Sequence, residues 1–136
     1  MQIPLITGFY AGVLSLILLV LTMRVIVVRG RTGIALMDGG NRELGIAIRC
    51  AANFTELVPL CLILFAIMEM ARTSIYAIHI LGIILVLARL IHPFGVNFDK
   101  PNKWQRVLGA AGTQLVLLIS AIWTIYLFFV RVFLVP

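Results

Sequence analysis

Charge is scarce in this chain. Charged residues make up 12% of it and only 5 are acidic, against a hydrophobic share of 62% and a mean hydropathy of +1.14. So little polar surface excludes a soluble globular domain, because 136 residues cannot fold so as to hide that much apolar surface from water. Histidine and cysteine are equally sparse, with 2 of each. His79 and His92 stand at opposite ends of one apolar stretch, with no Cys/His/acid cluster at ligand spacing, so no metal is expected. Cys50 and Cys61 fall in a single expected helix, about 16 Å apart at ~1.5 Å of rise per residue, too far to bridge within it. They read as two small buried hydrophobes. No Gly-rich phosphate loop, no Ser-His-Asp set, no internal repeat and no low-complexity segment is present. The net charge of +6 has no soluble domain to present it, which argues against nucleic-acid binding.

What the chain does have is four long apolar runs. A membrane-crossing helix needs about 20 mainly apolar residues, and the stretches 3–28, 46–70, 74–92 and 104–132 approach or exceed that. Alternation of polar and apolar residues is absent from all of them, which excludes a membrane barrel. The fold class is therefore an all-α integral membrane protein, a four-transmembrane-helix bundle forming one domain over 1–136. The first run lacks a basic leader and a small-residue cleavage site, so it is expected to remain as a span. Arg24, Arg29, Arg31, Arg42 and Arg49 surround the first connection, and Arg89, Lys100, Lys103 and Arg106 the third. The second has Arg72 and the C-terminal end Arg131. The basic bias places connections one and three in the cytoplasm and both termini on the opposite side.

The first connection, Thr32 to Asn41, carries the turn signal Asp38-Gly39-Gly40-Asn41, after which Arg42 and Glu43 open a helix. It is the longest polar stretch available to cover a site. In the second span Arg49, Asn53 and Glu56 follow i, i+4, i+7 spacing and share a face. An ionisable residue in hydrocarbon costs about 2.5–3.5 kcal/mol on insertion scales and marks a protein interior or a wet cavity, so this stripe is the candidate site. Arg49 and Glu56 are two turns apart, beyond ion-pair range unless their long side chains converge. Pro59, one turn below Glu56, frees a backbone carbonyl. Glu69 and Arg72 read as an interfacial pair, and the short link Arg72-Thr73-Ser74 as the turn of an antiparallel hairpin. Arg89 and His92, three apart, share a face near the third connection, whose breakers are Asn97, Asp99, Pro101 and Asn102. Arg106 lies in the first turn of the last span, followed by the small-residue run Gly109-Ala110-Ala111-Gly112-Thr113 that permits close helix contact. Trp123 and Tyr126 fit an interfacial aromatic belt.

These residues resemble a known family over almost the whole chain: the membrane-associated proteins in eicosanoid and glutathione metabolism, MAPEG. The pattern Arg-x-x-x-Asn-x-x-Glu-x-x-Pro stands here as Arg49, Asn53, Glu56 and Pro59, preceded by the Asp38-Gly39-Gly40-Asn41 loop of bacterial members. Ala88-Arg89-Leu90-Ile91-His92 and Arg106-Val107-Leu108-Gly109 add support. The resemblance implies a homotrimer with glutathione, as co-substrate, held between adjacent protomers. By position, Arg29 (alternate Arg31), Arg49, Asn53, Glu56, Arg89 and His92 would bind glutathione, and Arg106 would stabilise its thiolate. A bacterial inner-membrane glutathione transferase, with a peroxidase activity in reserve, would attack hydrophobic electrophiles arriving from the lipid. The chain departs from the pattern at Ala52, where some mammalian members have a further arginine, and at Leu57 and Val96, where others have tyrosines. Two alternatives stand beside this reading: a non-catalytic binding or scaffold protein of the same fold, and a proton-coupled transporter using Glu56.

Overall fold

The computed structural model describes residues 3–97 and 103–134; the loop residues Asp99, Lys100, Pro101 and Asn102 lie outside that set. Four helices follow one another: α1 (Leu5–Thr32), α2 (Arg42–Met70), α3 (Ile75–Gly95) and α4 (Trp104–Phe129), the last continued by a π-helical turn at Val130–Leu134. All four are long and apolar enough to cross a membrane, and a helix satisfies its own backbone groups where no water can. The protein is an all-helical integral membrane bundle.

The helices overrun the expected spans for local reasons. α1 continues through Arg29 and Arg31 because its stop signal is Gly33, whose left-handed φ of +69° lets its N–H reach the Arg29 carbonyl at 2.9 Å. α2 starts at Arg42 because Asn41 caps it, its side chain accepting from the Leu44 N–H at 3.0 Å. The preceding turn forms as its sequence signals, with the Asn41 N–H on the Asp38 carbonyl at 2.8 Å and the Gly40 N–H on Asp38 Oδ1 at 3.2 Å. α3 does not end at His92 but takes Pro93 into its last turn and stops at Gly95; so near a helix end the proline costs few backbone bonds.

Round the bundle the order is α1, α2, α4, α3: α1 packs on α2 and α3, and α4 on α3 and α2, while α1 and α4 do not meet among the described residues. The chain runs up and down, yet α2 and α3, expected as a hairpin pair, lie across a diagonal and make their main contacts with other helices. The core between the four is apolar, with Leu14, Phe54, Cys61, Phe65, Leu85 and Val116 at its centre. Both cysteines are free and buried, as expected.

One end is tied by polar contacts. Glu69 was expected to pair with Arg72. Its carboxylate instead accepts from the Ile6 N–H at 2.9 Å, the Thr7 N–H at 2.8 Å and the Thr7 hydroxyl at 2.7 Å. The reason is that α1 begins after Pro4 with no side-chain cap, so its first N–H groups are orphans, and a carboxylate both satisfies them and complements the positive end of the helix dipole. Nearby, the Tyr10 hydroxyl sits 2.9 Å from His79 Nδ1 and 3.1 Å from the His79 carbonyl oxygen. Trp123 Nε1 donates to Thr73 Oγ1 at 3.2 Å, and Arg131 donates to the Ala71 carbonyl at 2.8 Å.

The closest helix contact is α3 on α4. A methyl group placed at Gly109 would lie 2.7 Å from the Ala88 carbonyl oxygen and 2.7 Å from His92 Cβ, and one at Gly95 would collide with the Arg106 backbone. Glycine at both points lets the two backbones meet, as the small-residue run suggested. Gly112 is less constrained, its added methyl 3.1 Å from Ala88 Cβ. Gly109→Ala is therefore expected to destabilise the solubilised protein by ~1–3 kcal/mol through overpacking, and Gly112→Ala by much less. Equal losses in denaturant titration of the two variants would contradict this packing.

Candidate functional site

The polar residues of α2, α3 and α4 meet at the opposite end of the bundle, beside the first and third connections. Four hydrogen bonds from the two terminal nitrogens of one buried arginine organise this region. Arg89 is 1% exposed. Its Nη1 donates to Asn53 Oδ1 at 2.9 Å and to the Asn53 carbonyl at 3.4 Å, and its Nη2 donates to the Gly109 carbonyl at 3.4 Å and to Thr113 Oγ1. A side chain of α3 thereby joins α2 to α4 through the interior. Arg89, a residue the resemblance assigns to glutathione binding, is not among the residues lining the adjacent cleft and lies beneath it, because its planar fork finds four acceptor atoms there that only the packed helices bring together.

Above Arg89 is a cleft of about 270 Å3. α2 lines it with Gly45, Ile46, Arg49 and Asn53, the end of α3 with His92, Val96 and Asn97, and α4 with Arg106 and Ala110. Four of the predicted site residues, Arg49, Asn53, His92 and Arg106, thus share one cavity. The spacing on α2 places Arg49 and Asn53 one turn apart on this face. The glycine contacts at positions 95 and 109 set Arg106 and His92 side by side across α3 and α4. His92 is buried, within electrostatic reach of Arg89, Arg106 and Arg49.

Glu56 stands at the rim. Its Oε1 lies 3.4 Å from Arg49 Nη1, with the side chains 51% and 63% exposed, so the two long side chains do converge across two turns. At that exposure the pair adds little stability and leaves both groups available to a ligand. Arg29 does not join them. It faces a separate groove between α1 and α2, beside Ala51, Ala52 and Thr55, and donates to the Ile34 carbonyl at 3.1 Å. Arg31 is exposed beyond it. The first connection, expected as a cover, contributes nothing to the cleft's lining.

Sequence reasoning missed Thr113 as the partner of Arg89 and Asn97 as a lining residue. Thr113 sits at the end of the small-residue run, where it read as a spacer, and Asn97 read as a loop breaker. No group of three or more potential metal ligands occurs among the described residues.

The MAPEG family model matches residues 7–126. This chain belongs to the MAPEG family. It is 31% identical over 118 residues to the inner membrane protein YecN of Escherichia coli strain K12, covering 87% of this chain and 88% of that protein, and equally to YecN of an O6:H1 strain of the same species. No solved structure gives a significant match. In this MAPEG protein Val96 lines the cleft at a position where the resemblance places a tyrosine in other members, which makes that wall apolar.

Because Arg89 and Thr113 bond across α3 and α4 inside lipid, Arg89→Leu and Thr113→Ala are expected to be coupled. A double-mutant cycle in a reversible detergent titration should give an interaction of about 0.5–1.7 kcal/mol, the range of interhelical hydrogen bonds in membranes. Simple additivity would remove Arg89 from its organising place.

Proposed function

We propose that the cleft binds glutathione and activates it as a thiolate, making the protein a membrane-embedded glutathione transferase that attacks hydrophobic electrophiles and, where the electrophile is a hydroperoxide, reduces it. The observation that carries this reading is the convergence of Arg49, Asn53, His92 and Arg106 on one cavity. Glutathione offers two carboxylates, which suit the guanidinium fork of Arg49, an ammonium that Glu56 can receive at the rim, and amide groups that suit Asn53. A free thiol has a pKa of ~8.5, and a cation beside it favours the thiolate. Arg106 is the residue assigned to that role, with His92 next to it as a hydrogen-bonding partner of the tripeptide. Arg89 acts from beneath by holding Asn53.

In conjugation the thiolate sulfur forms a bond to the electrophilic carbon while the leaving group departs with its electron pair. With a hydroperoxide the sulfur attacks the terminal oxygen, the O–O bond breaks to release the alcohol, and a second glutathione thiol displaces the hydroxyl from sulfur as water, so that two glutathiones are oxidised to the disulfide as the peroxide is reduced. An apolar electrophile dissolved in the bilayer reaches this sulfur laterally, without crossing water. Membership of the MAPEG family supports the general assignment, and the YecN relatives, named as inner membrane proteins, support a bacterial inner-membrane location; the basic residues around connections one and three are what assign those connections to the cytoplasm. The size of the cleft supports an assembly. Ligand pockets ordinarily enclose about 300–1,000 Å3, and a tripeptide is only partly enclosed by about 270 Å3. A neighbouring protomer in a homotrimer completes the site, and Arg29, on another face, serves the neighbour's cleft.

Titration of the solubilised protein with glutathione, followed by thiolate absorbance in the ultraviolet, tests the activation. Wild type is expected to develop the signal near neutral pH, and Arg106→Ala to fall back to the few per cent thiolate of a free thiol at ~pH 7, while still binding by calorimetry. Arg49→Ala should lose binding instead. No signal and no binding in the wild type would leave a non-catalytic protein of the same fold. The shared site has its own check. Arg29→Ala and Arg106→Ala chains, each inactive alone, should recover part of the activity when co-expressed, because mixed trimers contain sites with both arginines intact. Failure to complement would confine each site to one chain.

A further inference from the structure

A second groove lies between α1 and α3, apart from the glutathione cleft, with a volume of about 280 Å3. Its walls are Ile17, Val20 and Leu21 of α1 and Leu90, Pro93 and Phe94 of α3, and its remaining lining is Arg24 and Arg89. Tyr10 packs on Gly82 and reaches His79, so α1 and α3 run in the same direction, and this register sets Arg24 level with Pro93 and Phe94. From Leu5 to Met23, α1 contains no charged residue, a length of about 28 Å at ~1.5 Å per residue against a hydrocarbon thickness of about 30 Å. Arg24 therefore sits where hydrocarbon gives way to headgroups.

Its charge has no counter-charge among the described residues. Arg24 is exposed and makes no hydrogen bond or ion pair among the described residues, and neither α1 nor α3 contains an acidic residue. Deeper in the same groove, Arg89 adds a second positive charge, with its Nε lacking any hydrogen-bond partner. A guanidinium at headgroup depth, opening onto an apolar trough that runs down into the bilayer, is complementary to an anionic head carrying a long hydrocarbon chain.

We propose that this groove binds one anionic phospholipid of the surrounding membrane, its phosphate on Arg24 and one acyl chain along the Val20–Leu21 and Leu90–Phe94 walls. The site is independent of whether the other cleft binds glutathione. A phosphate takes the guanidinium fork in bidentate fashion, and a bilayer lipid already holds its phosphate at this depth and its chain in the direction of the trough.

Native mass spectrometry of the full-length protein tests this, with phosphatidylglycerol and phosphatidylcholine of identical chains titrated in turn. Wild type is expected to prefer phosphatidylglycerol by about fivefold, the effect of one basic residue near an anionic headgroup. Arg24→Gln should bring the preference close to unity, Arg24→Lys should keep most of it, and Arg72→Gln, an exposed arginine at the other end of the bundle, should leave it intact. Val20→Trp, which fills the trough, should weaken both lipids. No preference in the wild type, a preference that survives Arg24→Gln, or an equal loss in Arg72→Gln would overturn the assignment. Displacement of phosphatidylglycerol by oleate at equal or lower concentration would also overturn it, in favour of a free fatty acid.

Discussion

The arrangement turns on one buried cation. Arg89 has almost no contact with solvent, yet its two terminal nitrogens reach α2 through Asn53 and α4 through Gly109 and Thr113. In hydrocarbon a charged group must be satisfied by the protein, and these acceptors exist together only if α2, α3 and α4 pack in the observed order. Replacing a buried charge by a well-fitted apolar side chain is often neutral for stability, so what Arg89 contributes is better described as specification: it selects one arrangement among several that apolar helices in lipid would otherwise permit.

Close packing of α3 on α4 then converts that arrangement into chemistry. Gly95 and Gly109 allow the backbones to touch, and as a result His92 and Arg106, on different helices, open on the same cleft as Arg49 and Asn53. Larger residues at those two positions would push α4 outward and part Arg106 from the others. Small residues that do not themselves line the cleft thus govern how close Arg106 comes to Arg49 and Asn53.

The two ends of the bundle differ in kind. At one, Glu69 caps α1, Trp123 holds the connection after α2, and Arg131 ties down Ala71, so polar groups are spent on each other. At the other, Arg49, Glu56 and Arg24 remain exposed. Polar side chains left open at the edge of a membrane are the groups available to ligands and lipids, and both the cleft and the α1–α3 groove lie there.

Much of this was legible in the chain. Four spans follow from hydrophobic length, since in lipid each helix must satisfy its own backbone. The turn at Asp38, the helix start at Arg42 and the shared face of Arg49 and Asn53 depend on residues within a turn or two, and they formed as read. The rest depended on partners distant in sequence. Nothing local indicated that Glu69 would leave Arg72 for the start of α1, that Arg89 would lie beneath the cleft and bond Thr113, or that Arg29 would face a different groove from Arg49. The sequence by itself determined the helices and the face each polar residue occupies, because those are set by backbone periodicity and burial in lipid. Only the tertiary structure decided which faces meet, because that depends on where small residues let helices approach and where buried polar groups find acceptors on other helices.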